Sequence, residues 1–252
     1  MTSYRNPEDT RVTAEQLTRL ERLRDKVVGH GLQVALRALE LELTIAEAAA
    51  NAKESNEAFE LKTAGLQIGC GTHRIEEWTN FDIFPGYADI VGDAREGLPF
   101  PDDTFDNVFS EHMMEHVDYP HSVTTVLGEM NRVLAPGGKL IVGVPDSEPV
   151  IRAYAEGDTE FMEKLKEEWY GRRPNLDAYD QPIDMVHLVG ADEFDSPKYA
   201  PHFWSYDHAK MTSLLEKAGF SDIKPWEFDE SMANPDRAWN SVYLEAIKPV
   251  TE

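Results

Sequence analysis

The densest chemistry in the sequence lies at Ser110-Glu111-His112, which runs into Met113-Met114-Glu115-His116. Two histidines and a carboxylate spaced H-x-x-E-H serve a zinc hydrolase when they share one turn of a stable helix and a third ligand comes from another helix. Here the motif abuts a predicted strand, Phe105-Asp106-Asn107-Val108-Phe109, and meets Pro120 soon after, so a continuous helix is disfavoured. No metal is therefore expected, and a zinc metallohydrolase using His112, Glu115 and His116 is kept as an alternative. His112 is the first candidate for a general base, with His116, His187 and His202 behind it. An imidazole titrates near physiological pH, and each of these lies on or near a predicted cleft loop. Each is equally readable as a hydrogen-bonded structural histidine.

A second group of residues could hold a nucleoside. Leu66-Gln67-Ile68 ends in Gly69-Cys70-Gly71, a turn tight enough for backbone N–H groups to approach a ligand. Asp82 ends the next strand-like run, where a carboxylate can accept from both hydroxyls of a ribose. Asp93 follows a third run, Ala88-Asp89-Ile90-Val91. Cys70 reads as a small residue tolerated in the turn, not as a nucleophile. A glycine turn and an acidic residue also serve nicotinamide cofactors, but Gly69-Cys70-Gly71-Thr72-His73-Arg74 lacks the full G-x-G-x-x-G.

Further along come Leu98-Pro99-Phe100-Pro101-Asp102-Asp103, then Arg132-Val133-Leu134-Ala135-Pro136-Gly137-Gly138, then Val144-Pro145-Asp146. In this order the residues resemble the class I S-adenosylmethionine-dependent methyltransferases, in particular a bacterial type 11-like group, from about Gly65 to Lys248. The resemblance implies S-adenosyl-L-methionine as cofactor. It places Gln67, Gly69, Cys70, Gly71, Asp82, Ile83, Asp93, Ala94, Ser110, Glu111 and His112 around it, with Asp82 at the ribose, Asp93 and Ala94 at the adenine edge, and Ser110 to His112 near the sulfonium. The chain departs from the family at Gln67, where an acidic residue is usual, and at His73, which replaces a third glycine. A member that binds the cofactor without acting on an acceptor is a further alternative.

These residues need elements to position them. Apolar runs alternate with helical patterns at Val123 to Leu134 and Asp207 to Ala218, and Asp222-Ile223-Lys224 and Ser241 to Ile247 add strands. The expected fold is α/β: a Rossmann-like, doubly wound, seven-stranded, mostly parallel sheet. Residues 1–62 are expected as an N-terminal helical segment, a lid or oligomerisation element. Its first helix carries Leu17, Leu20, Leu23 and Val27, and its second a stripe of Leu32, Leu36, Leu39, Leu43, Ala46 and Ala50. The resemblance implies a methyltransferase domain over residues 63–252, with a substrate-side insertion expected at 150–206. Within the insertion a helix is predicted from Asp158 to Trp169 and irregular chain from Arg172 to His202. Trp169, Tyr170, Tyr199, Phe203 and Trp204 could wall an acceptor pocket.

Composition narrows the partners. Lys and Arg number 24 against 47 Asp and Glu, a net charge of −23 over 252 residues, which repels a phosphate backbone and excludes nucleic acid as the expected acceptor. One cysteine allows no internal disulfide, and no apolar run approaches a membrane span. A cytoplasmic protein acting on a small molecule is expected, possible as a homo-oligomer through the N-terminal helices.

Overall fold

Short apolar runs build one sheet. β1 (Leu66–Ile68), β2 (Thr79–Asp82) and β3 (Ile90–Val91) are brief, β4 (Phe105–Glu111) and β5 (Leu134–Pro145) are longer, and β6 (Ser221–Pro225) and β7 (Ser241–Ile247) complete it. The structure, a computed structural model, describes residues 30–171, 176–191 and 201–250. The strand order is β3-β2-β1-β4-β5-β7-β6. β1 pairs in parallel with β2 and β4, β2 with β3, and β4 with β5, while β7 runs antiparallel to both β5 and β6. This is the expected Rossmann-like sheet. Every residue of β1 is buried, as a parallel strand covered on both faces must be.

One face is covered by α3 (His121–Val133) and α7 (His208–Lys217). α3 buries Val123, Val126, Leu127, Met130 and Val133, the spacing that keeps one stripe against the sheet. It ends because Leu134 turns extended, and Pro136-Gly137-Gly138 then falls inside the span of β5 instead of capping the helix. Asp207 caps α7 by accepting from Lys210 N–H. The principal core joins these helices to Leu66, Ile68, Phe81, Phe105, Leu140 and Val142.

At the amino-terminal side stand α1 (His30–Asn51) and α2 (Lys53–Ala58). The first expected helix lies outside the described residues. In α1 the stripe is shifted from the expected one. Leu36, Leu41 and Ile45 are buried, Leu39 and Leu43 are half-buried, and Ala46 and Ala50 are exposed. The helix packs through Leu36, Leu41 and Ile45, and beside that face the exposed Glu42 carboxylate pairs with Arg95 at 2.8 Å. From α2, the Asn56 side chain donates to Val91 O and accepts from Val91 N, closing the edge of β3.

The insertion is more ordered than its composition suggested. α4 (Ser147–Glu156), α5 (Thr159–Tyr170) and α6 (Pro182–Ala191) form a second core around Val150, Ala153, Met162, Leu165, Tyr170, Met185, Leu188 and Val189. α6 falls within the stretch expected to be irregular. Its signals were local and short: Pro182 at the first helical position, then Met185, Leu188 and Val189 at helical spacing. Tyr170 is buried in this core, and Tyr199 lies outside the described residues.

Candidate active site

The chain leaves β1 through two left-handed glycines, Gly69 at φ 75° and Gly71 at φ 51°. A Cβ on residue 69 would meet Met113 Cγ at 2.5 Å, so glycine is required there for conformation and for space. At Gly71 a Cβ would meet nothing within 4 Å, which leaves backbone open to a ligand. Gly71 N–H donates to Asp82 Oδ2 at 2.8 Å and Phe84 N–H to Oδ1 at 3.0 Å. One carboxylate thus ties the turn after β1 to the end of β2, and its remaining lone pairs are still able to accept. Burial pushes the Asp82 carboxyl above its usual range, opposed by the N–H groups of Gly71, Phe84 and Ile83. The Cys70 thiol is pushed up to about 12, by burial and then by the charge of Asp82, so it stays protonated.

Gln67 has a structural task. Its amide donates to His73 O at 2.7 Å, and its oxygen accepts from Ile75 N–H at 2.8 Å. The side chain pins the loop that carries His73. Asp93 accepts from the backbone and guanidinium of Arg95, which also grips Glu42 of α1. Arg95 drew no attention in the sequence, because only folding brings Glu42 and Asp93 to either side of it. Ala94 is buried in the short turn that follows Asp93.

At the end of β4, successive residues point to opposite faces of the sheet. Ser110 is buried, with its hydroxyl unpartnered among the described residues. Glu111 accepts from Tyr243 OH at 2.7 Å and from Asn234 N–H at 3.2 Å, and pairs with Arg237 at 3.4 Å, so its carboxylate anchors the segment before β7.

His112 then adopts a left-handed backbone, φ 49°, uncommon for a side-chain-bearing residue and a feature of strained functional sites. Its Nε2 meets Ser241 Oγ at 2.8 Å, and its ring lies 5.6 Å from that of Trp169 on α5. The insertion thereby reaches the end of β4. Burial, with the charges of Arg237, His202 and His116, holds His112 well below 6.5, so its imidazole is neutral at neutral pH.

Met114–His116 is a single 3₁₀ turn, not a stretch of α-helix, and the zinc-hydrolase arrangement of His112, Glu115 and His116 is not formed. The fold brings together His112, His116 and His202. His112 Nδ1 is 3.7 Å and His116 Nε2 4.0 Å from Glu115 Oε1, and the His116 and His202 rings are 4.8 Å apart. His187 is exposed on α6. Trp204 stacks on Tyr119 at 4.4 Å, and Phe203 is exposed.

Residues 66–142 match the family described as a methyltransferase domain. The uncharacterized protein YafE of Escherichia coli is 35% identical over 85 residues, covering 34% of this chain and 36% of that protein. A probable methyltransferase of Aspergillus luteorubrus is 47% identical over 49 residues, 19% of this chain and 17% of its own. The chain therefore spans 36% and 17% of the length of these curated relatives. A solved structure from Thermotoga maritima, described as a SAM-dependent methyltransferase and possible histamine N-methyltransferase, is 21% identical. It aligns with a TM-score of 0.42, over 82% of this chain and 92% of its own.

The matched segment covers the strands and turns that hold the glycines, Asp82 and Asp93, and the sheet adds the reversed final strand that a dinucleotide-binding order of six parallel strands lacks. Residues 66–142 are therefore similar to a methyltransferase domain, and the strands and turns of that segment are the ones that resemble a class I S-adenosylmethionine-dependent enzyme.

Proposed function

We propose that this protein transfers the methyl group of S-adenosylmethionine to a hydroxyl or amine of a small-molecule, sugar or natural-product acceptor, over the carboxyl ends of the strands and under the helical insertion. The observation that carries the reading is the junction of the open Gly71 backbone with the half-buried carboxylate of Asp82, at the carboxyl ends of the adjacent strands β1 and β2. A bound S-adenosylmethionine supplies an electrophilic methyl group on sulfur. The chain's part is placement. Asp82 accepts the ribose hydroxyls, and the Gly69 to Gly71 turn, its N–H groups held by Phe81 O and Asp82, lets the amino-acid portion approach over the open side of Gly71. Ile83, Asp93 and Ala94 border the adenine, and Ser110 to His112 border the sulfonium.

His112, neutral and held by Ser241, is placed to take the acceptor's proton. Trp169 beside it shields the reacting atoms from water. Residues 1–62 act as a lid, in keeping with the pairing of Glu42 with Arg95, and the same helices are the proposed contact between copies. The charge of −23 supports an acceptor other than nucleic acid.

Titration calorimetry with S-adenosylhomocysteine tests the cofactor half. Asp82→Ala is expected to weaken binding by ~2–3 kcal/mol, the loss of hydrogen bonds to a charged group. Unchanged affinity would remove Asp82 from the ribose. Methyl transfer from labelled S-adenosylmethionine to nucleotide sugars, natural-product phenols and amines tests the acceptor half, and a chain that binds the cofactor but methylates none of these would contradict the proposal.

A further inference from the structure

We infer that Glu115, His116 and His202 bind one divalent transition-metal ion of the zinc class, beside the glycine turn. Each offers one ligand atom, and the three atoms lie within 4.8 Å of one another. At zinc bond lengths of ~2.0–2.2 Å the ligand atoms stand roughly 3–3.5 Å apart, so side-chain rotations of about 1 Å close the site.

Glu115 carries the argument. It is 1% exposed, and both of its carboxylate oxygens are buried with no hydrogen-bond partner among the described residues. The nearest imidazole nitrogens stand at 3.7 and 4.0 Å, beyond hydrogen-bonding distance. A carboxylate in that position is costly until a cation meets it.

The histidines are oriented to supply the other ligands. His116 Nδ1 faces Pro201 O at 3.4 Å and His202 Nδ1 faces Val189 O at 3.1 Å. An N–H donated to each carbonyl puts the ring's lone pair on Nε2, which is how metal-binding imidazoles are held. The two segments are also tied by backbone. Phe203 N–H donates to Glu115 O at 2.7 Å, Tyr206 OH to Met114 O at 3.2 Å, and Ser147 N–H to Tyr206 O at 2.9 Å. The cluster is therefore assembled by the fold before any ion arrives.

Two imidazoles and one carboxylate make a ligand set that leaves coordination positions open to water or substrate. The site uses the H-x-x-E-H sequence differently from a hydrolase: the third ligand is His202, from the end of the insertion, while His112 stays on Ser241. Met113, packed on Gly69, places the cluster next to the glycine turn.

The full-length chain, stripped with a chelator, is titrated with Co²⁺ and followed by visible absorption. The expected result is one Co²⁺ per chain with the ligand-field bands of a low-symmetry site, displaced by Zn²⁺ and not by Mg²⁺. Glu115→Gln and His202→Gln are each expected to lower Co²⁺ affinity by more than ~100-fold, beyond the range of outer-shell changes, while S-adenosylhomocysteine binding is retained. His202→Gln serves if Glu115→Gln does not fold. No ligand-field bands, or bands that persist in both variants, would overturn the inference. Because the bands are read without cofactor, loss of S-adenosylhomocysteine binding with intact Co²⁺ binding would count against the methyl-transfer reading alone.

Discussion

Asp82 shows how one side chain joins the local fold, by tying the turn after β1 to the end of β2, to a pH-dependent stability. Burial raises its carboxyl above the ordinary value of 3.8, so the folded chain keeps this proton at a pH where the unfolded chain has released it. Its ionisation therefore costs stability as pH rises from the unfolded value through the raised folded one, by at most ~1.4 kcal/mol per pH unit. Asp82→Asn removes that cost. Its urea midpoint is expected to gain on the parent protein as pH is raised from 3.5 to 7, a constant offset arguing against the raised carboxyl. At this scale the sequence was informative where structure is local. The glycine pair and Asp82 are legible because a turn and a strand end are short-range features. The bonds of Gln67 to His73 and Ile75 were not legible, because they depend on how the following loop folds back. Glu115, His116 and His202 meet only when the insertion returns to the sheet.

The Arg132 motif before β5 acts between elements. Its guanidinium pairs with Glu129 one turn earlier on α3 and donates to Leu98 O at 2.9 Å and Phe100 O at 2.7 Å, while Glu129 accepts from Leu98 N–H. One ion pair thus fastens the loop before β4 to α3. Hydrogen bonds from Arg132 hold Glu129 below its usual range, so its contribution is full above pH 4.5 and is lost as pH falls through the lowered value. Arg132→Ala is expected to cost roughly 2–3 kcal/mol at pH 7 by urea denaturation, with the deficit shrinking toward pH 3. A neutral substitution would mean the loop is held by Leu98 and Phe100 burial alone. The strands and the two helices of the sheet were legible from periodicity. The face of α1 was not, because its leucines ring the helix and only tertiary packing selects Leu36, Leu41 and Ile45 among its apolar residues.

For the molecule as a whole, the charge of −23 is the dominant long-range term. Self-repulsion among so many carboxylates opposes compaction, and salt shortens its reach from ~10 Å at 0.1 M to ~3 Å at 1 M. The thermal midpoint is therefore expected to rise between 0.05 and 1 M NaCl, and a fall would show that local ion pairs such as Arg95–Glu42 outweigh net repulsion. No described helix is long and apolar enough to cross a membrane. The sheet's two borders also matter at this scale. At β3 the Asn56 amide occupies both backbone groups of Val91 as a neighbouring strand would, and at the far border β6 is short and ends in Pro225. A second chain has no strand register left to copy at the Val91 border, so sheet-to-sheet growth is blocked there by one side chain.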